Sequence, residues 1–159
     1  MKLNVITTLS IIIFSLCSCK VIKSDIENVD KISKAVENKL FTVSFNYANP
    51  MRMQSIALTS EYTLTIKGDS AFAYLPYYGV VHTAPFNMSD GGIKFASAMQ
   101  KFDKRLNKKH DGWEIRFKID KPEYHYNLHL TVYKNGSSTL QVNSYDKDPI
   151  SYFGEIEIK

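Results

Sequence analysis

Alternation constrains this chain more than any other feature. From Phe41 onward, apolar and polar residues exchange places at every second position, in run after run separated by short turn sequences. A period of two sends successive side chains to opposite faces of a strand, so each run describes a strand with one buried and one wetted face. Phe41, Val43, Phe45 and Tyr47 alternate with Thr42, Ser44 and Asn46, and the run ends at Asn49-Pro50. Tyr62, Leu64 and Ile66 alternate with Thr63 and Thr65 before Gly68-Asp69 turns the chain into residues 70–75. Trp113, Ile115, Phe117 and Ile119 take one face while Glu114, Arg116, Lys118 and Asp120 take the other. Tyr124, Tyr126, Leu128, Leu130 and Val132 repeat the pattern against His125, Asn127, His129 and Thr131. Asn135-Gly136 predicts a type I′ hairpin into a strand holding Leu140 and Val142. Residues 150–152 and 155–158 close the chain, with Gly154 marking a bulge.

With a weaker strand over residues 92–102 the count reaches about eight. Consecutive antiparallel strands in that number form a closed or half-closed barrel or a two-sheet sandwich, and the up-and-down order favours the barrel. One helix precedes them. Ser24-Asp25-Ile26-Glu27 reads as a capping box, and Ile26, Val29, Ile32, Val36 and Leu40 follow at spacings of three or four, predicting a helix over residues 25–39.

The chain's first segment is an address. Lys2 supplies a positive start, and residues 5–16 form an apolar run of about twelve residues, well short of the roughly twenty that span a bilayer. Leu16-Cys17-Ser18-Cys19 resembles the lipobox of bacterial lipoproteins, with an aliphatic residue at −3 and a small one at −1. Cys17 fits the acceptor role worse, since bulky Leu16 would then occupy −1. The expected organisation is a signal peptide over residues 1–18, a lipidated tether over 19–24 beginning at Cys19, and one β-rich domain over 25–159. The lipobox resemblance implies two or more acyl chains, and such an anchor holds at about 0.8 kcal/mol per buried methylene. The expected location is the cell envelope, lipid-anchored through Cys19, on the outer membrane and facing the periplasm.

Both cysteines of the sequence lie in this region, so the expected mature domain has neither disulfide nor free thiol beyond the lipidated one and is held by packing. Its formal charge, +4 for the whole sequence, falls to +3 without Lys2. Lys101, Lys104, Arg105, Lys108 and Lys109 form a local basic stretch, but no stacking motif is interleaved with it. A solvated strand end or loop is the reading, and no nucleic-acid partner is expected.

Zinc-protease, nucleophile-elbow, Walker and Rossmann patterns are absent from the sequence. His125 and His129 would share a helix face, but in a strand four residues span about 13 Å, too far for one metal ion. His82 and His110 give no ligand spacing. Glu155 and Glu157 lie about 7 Å apart on one strand face, a distance that overlaps glycosidase carboxylates, yet outward solvated glutamates are the simpler reading. Asp90-Gly91-Gly92 is explained by a tight turn. No catalytic residue, metal or cofactor is therefore assigned. The remaining feature is Tyr74-Leu75-Pro76-Tyr77-Tyr78-Gly79, followed by Ala84-Pro85-Phe86. Its prolines end strands and gather aromatics at a loop. Tyr74, Tyr77, Tyr78 and Phe86 are thus the candidate contacts for a ligand or partner, and plugging the barrel end is the competing role for the same rings.

These segments resemble a family of bacterial envelope lipoproteins called domain of unknown function 4251, found in Bacteroides-like organisms. The resemblance rests on Leu58-Thr59-Ser60-Glu61-Tyr62-Thr63-Leu64, the Leu-Pro-Tyr-Tyr-Gly run at 75–79, Ala84-Pro85-Phe86, Gly91-Gly92-Ile93-Lys94-Phe95, the Trp113 strand and Asn135-Gly136-Ser137. It covers residues 40–158. It implies a lipocalin-like β-barrel and an envelope location, and no activity. The combined reading is a non-enzymatic binding domain for a small apolar ligand or an envelope protein partner. The alternatives are a structural or assembly factor with a filled barrel, and a hydrolase acting on envelope glycans or lipids.

Overall fold

The computed structural model describes residues 19–82, 91–107, 109 and 111–158. One helix, α1 (Cys19–Glu37), is followed by nine strands: β1 (Leu40–Pro50), β2 (Ile56–Lys67), β3 (Ser70–Leu75), β4 (Ile93–Ala98), β5 (Gln100–Asn107), β6 (Gly112–Lys121), β7 (Tyr124–Tyr133), β8 (Ser137–Ser144) and β9 (Ile150–Glu157). They form one antiparallel sheet in the order β4-β3-β2-β1-β9-β8-β7-β6-β5, rolled into a nearly closed barrel. The barrel expected from alternation is therefore the fold.

The ninth strand comes from a kink. The expected run over 92–102 breaks at Met99, where β4, paired with β3, gives way to β5, paired with β6. A single residue thus carries the chain from one edge of the sheet to the other. The Met99 N–H donates to the Asp69 carbonyl at 2.8 Å. Lys101 adopts the left-handed conformation at φ 51°, and the β5–β6 register shifts between Gln100 and Asp103.

Inward positions follow the sequence pattern closely. Val43, Leu64, Ile66, Ile115, Leu130, Leu140 and Tyr152 are wholly buried, with Trp113, Phe117 and Ile119 nearly so. At about 1.5–3 kcal/mol for each fully buried large apolar side chain, this lining is what drives closure. One position departs. A bulge between Phe45 and Tyr47, seen in the pairing of β1 with both neighbours, reverses the strand's phase, so Ala48 is buried and Tyr47 exposed. Gly154 faces this bulge, and a Cβ there would collide with the Ser44 carbonyl, which is why glycine stands at that position.

Helix α1 differs from the expected 25–39. It begins at Cys19, so residues 19–24 are helical and Ser24 lies inside the helix, not at its cap. Ile22 precedes Ile26 at the same spacing of four, so the apolar period extends upstream of the capping box. The helix stops at Glu37 because Lys39 turns left-handed at φ 51°, with the Asn38 and Lys39 N–H groups bonded to the Lys34 and Val36 carbonyls. Leu40 accordingly opens β1 and is exposed, while Ile32 and Val36 are buried across the barrel end. None of the helices formed by described residues is long and apolar enough to cross a membrane.

The Asn135-Gly136 turn also differs from expectation. It is a three-residue loop, 134–136, with only Gly136 at positive φ (90°), and not a two-residue type I′ turn. The Asn135 side chain fixes it by accepting the Ser137 N–H at 3.1 Å.

Candidate functional site

The barrel has a helix-covered end and a loop-covered end. Segments 51–55, 76–82 and 145–149 meet at the latter, and there the structure gathers most of the chemistry that the sequence suggested. Pro76 ends β3, and Tyr77 and Tyr78 turn against the core, both half-buried. The Tyr77 hydroxyl donates to the Val80 carbonyl at 2.9 Å and lies 3.1 Å from that of Asp148. Burial pushes this phenol above its ordinary range, with the nearby Asp148 charge adding to the effect. Tyr152, buried at the same end, donates to the Pro76 carbonyl at 2.6 Å. Backbone bonds from His82 to Asp146 (2.7 Å) and from Asp148 to Val80 (3.0 Å) sew the two segments together.

Asp148 is the hub of this arrangement. It is 7% exposed, and its carboxylate meets Arg52 Nε at 2.9 Å and His82 Nε2 at 2.8 Å. The His82 hydrogen bond holds the carboxyl below its usual range, with the Arg52 charge assisting against the opposing cost of burial. His82, isolated in sequence, thus belongs to a lock across 66 residues rather than to a metal site. No sequence spacing could have pointed to it.

Tyr74 sits differently. It faces outward from β3, half-exposed, and stacks on Tyr62 with ring centroids 5.6 Å apart, while Lys94 Nζ lies 4.5 Å above its ring. Tyr62, Tyr74, Pro76, Tyr77, Gly92 and Lys94 border a cleft of about 240 Å³ on the outer rim. Tyr74 and Tyr77 therefore meet across one cleft, whereas Tyr78 packs inward and Phe86 lies outside the described residues, as does Asp90. Gly79 is not in a left-handed conformation; a side chain there would strike the Tyr77 hydroxyl, 2.5 Å from the Cβ position.

The other candidates are dispersed over the outer surface. His125 pairs with Asp120, and His129 lies across the sheet beside Glu114, so the two imidazoles have different partners. Glu157 accepts a hydrogen bond from Ser44, and Glu155 is exposed. Glu114, outward in sequence, keeps only 12% of its side chain exposed, because Asn107 bonds it at 2.5 Å and Arg116 at 3.3 Å. The Asn107 bond is the main reason its carboxyl is held low. Among the described residues no group of three His, Cys, Asp or Glu side chains is placed to hold a metal ion. Cys19 is the first residue of α1.

The family model described as domain of unknown function (DUF4251) matches residues 23–156. The crystal structure of a DUF4251 family protein from Bacteroides eggerthii superimposes with a TM-score of 0.63 at 14% identity, covering 81% of this chain and 86% of that one. At that identity the likeness speaks to the fold alone. No curated protein matches the chain.

Proposed function

This chain belongs to the DUF4251 family, and on that footing we propose that it is a lipid-anchored cell-envelope protein that binds, without catalysis, through the outside of a filled barrel. The observation that carries this reading is the interior. The inward positions are occupied by mutually packed side chains, with Tyr152 against Phe45 at 5.7 Å and Phe95 against Tyr126 at 5.9 Å. Four clefts bordered by described residues lie at the rim, beside the helix and on the outer sheet. An apolar ligand or partner side chain is then received at the Tyr62–Tyr74–Tyr77 rim rather than inside. A tyrosine ring offers a flat apolar face with a polar edge, which suits such a contact.

Two substitutions separate binding from plugging. Tyr74→Ser should weaken fluorescence-detected binding of anilinonaphthalene sulfonate at least several-fold and leave unfolding unchanged. Tyr77→Ser, which removes the loop lock, should lower stability. Probe binding indifferent to Tyr74 would dismiss the rim as a contact site and leave the assembly-factor reading, which shares the filled barrel. For the anchor, Cys19→Ala should abolish incorporation of labelled palmitate and release the protein from membranes, while Cys17→Ala should do neither. Palmitate labelling that survives Cys19→Ala would refute it.

A further inference from the structure

The outer face of β5–β8 carries a second concavity, of about 260 Å³, far from the aromatic rim in the strand order. Strand register builds it as two rows of side chains. Arg116, His129 and Gln141 are cross-strand partners in one row, and Lys118, Asn127 and Asn143 in the next. Lys101 joins them at the β5 end. With strands about 4.8 Å apart and rows about 7 Å apart, the array extends about 14 Å from β5 to β8.

Apart from Arg116, which meets Glu114, the polar groups of this groove are uncommitted among the described residues. Several cations elsewhere are paired, Lys31 with Glu27, Lys39 with Asp69, Arg105 with Asp103, Lys134 with Asp111 and Lys147 with Asp146, while Lys34, Lys67 and Lys121 are unpaired among the described residues but stand apart from one another. In the groove, Lys101 and Lys118 have no ion pair among the described residues, and the amides of Asn127, Gln141 and Asn143 make no side-chain hydrogen bond. His129 Nε2 is buried without a hydrogen-bond partner, 3.9 Å from Glu114 Oε2. The neighbouring carboxylates are largely spent: Glu114 on Asn107 and Arg116, Asp103 on Arg105, and Asp120 on His125. A buried polar atom is ordinarily satisfied, so the unpartnered His129 Nε2, with Lys118, Asn127, Gln141 and Asn143 around it in the same concavity, marks a place for a polar ligand.

We propose that this groove binds an acidic saccharide, a chain of sugar rings bearing carboxylates. The cations answer the carboxylates. Each carboxamide both donates and accepts, as a sugar hydroxyl requires of its partner. Nucleic acid fits worse, because the phenyl ring in the lining, Phe117, is buried in the barrel and only the His129 imidazole is left to stack on a base. A lipid surface fits worse too, because the groove is concave and presents no apolar side chain to insert.

The test is a calorimetric titration of the protein with oligogalacturonate, against neutral maltooligosaccharide, a single-stranded oligonucleotide and phosphatidylglycerol vesicles. Oligogalacturonate should bind and the neutral sugar should not. Lys101→Glu combined with Lys118→Glu, both exposed positions, should weaken binding more than tenfold with unchanged unfolding. Gln141→Ala combined with Asn143→Ala should weaken oligogalacturonate several-fold yet leave the binding of free citrate unaltered. Tyr74→Ser should have no effect, which separates this groove from the rim. The proposal is overturned by absence of oligogalacturonate binding, by binding that survives the charge reversal, or by equal or tighter binding of the oligonucleotide or vesicles.

Discussion

Tyr152→Phe isolates a single hydrogen bond at the loop-covered end. The native ring is wholly buried, packs 5.7 Å from Phe45, and donates its hydroxyl to Pro76 at 2.6 Å. Phenylalanine keeps the ring and deletes the donor. An ordinary hydrogen bond contributes about 1 kcal/mol net, and a carbonyl left without its donor adds up to about 2 more. Pro76 is only half-buried, so water reaches part of the carbonyl and the expected loss is about 1–2 kcal/mol, or roughly 3–8 °C in melting temperature. Tyr152→Leu also removes ring contacts and should cost about 3–5 kcal/mol, in the range of other large-to-small core changes. Urea unfolding followed by circular dichroism measures both, with the slope unchanged if the native state stays intact. Because the bond ties β9 to the segment after β3, Tyr152→Phe should also speed proteolysis within residues 76–82. Stability within about 0.3 kcal/mol of the native protein, with protease resistance intact, would show that Tyr152 merely fills space.

Trp113→Ala should cost about 3–5 kcal/mol by urea unfolding, since the ring is 7% exposed at the start of β6; a loss under about 1 kcal/mol would contradict its burial. Burial pushes Tyr126 up to about 12 and Tyr152 higher still, against an ordinary value near 10. Above pH 10 the unfolded chain therefore releases these protons first, the folded state holds more of them, and stability should fall by up to about 1.4 kcal/mol per pH unit for each ring. Tyr126→Phe should flatten that slope, and a slope unchanged by the substitution would exclude Tyr126 as a source. Asp148, held low, contributes stability above its ordinary range that is lost as pH falls through its depressed value. Asp148→Asn should then speed proteolysis of residues 76–82 at neutral pH and remove the acid dependence of that cleavage; identical pH profiles would deny the lock.

Alternation made most of the barrel readable. The faces of β6 and β7 follow from Trp113 to Val132 without exception, because a strand buried on one side leaves no freedom in register. It failed where one residue breaks the period. The bulge before Tyr47 and the kink at Met99 depend on what the neighbouring strands do, and an ordinary Asn or Met carries no local mark of either. The rim was legible in part: prolines and tyrosines announced it, but Asp148 and Arg52 reach Tyr77 and His82 only through the folded barrel. The outer groove was hidden for a related reason. Period two says that Arg116, His129 and Gln141 face outward, but only the pairing of β6, β7 and β8 makes them one row.

The pairing of β1 with β9 sets the order in which the molecule can assemble. The first and last strands are neighbours in the middle of the sheet, over eight residue pairs. Hairpins β2–β3 and β6–β7 can form from adjacent sequence, but β1 remains open on one side until the last ten residues arrive. Closing a loop of a hundred residues costs conformational entropy before any contact returns it, so the closing step is expected to be slow. A chain cut short before Ile150 would lose the central strand, not a peripheral one. The sheet can therefore close only once β9 has taken its place beside β1, and the two halves of the barrel gain or lose their order together.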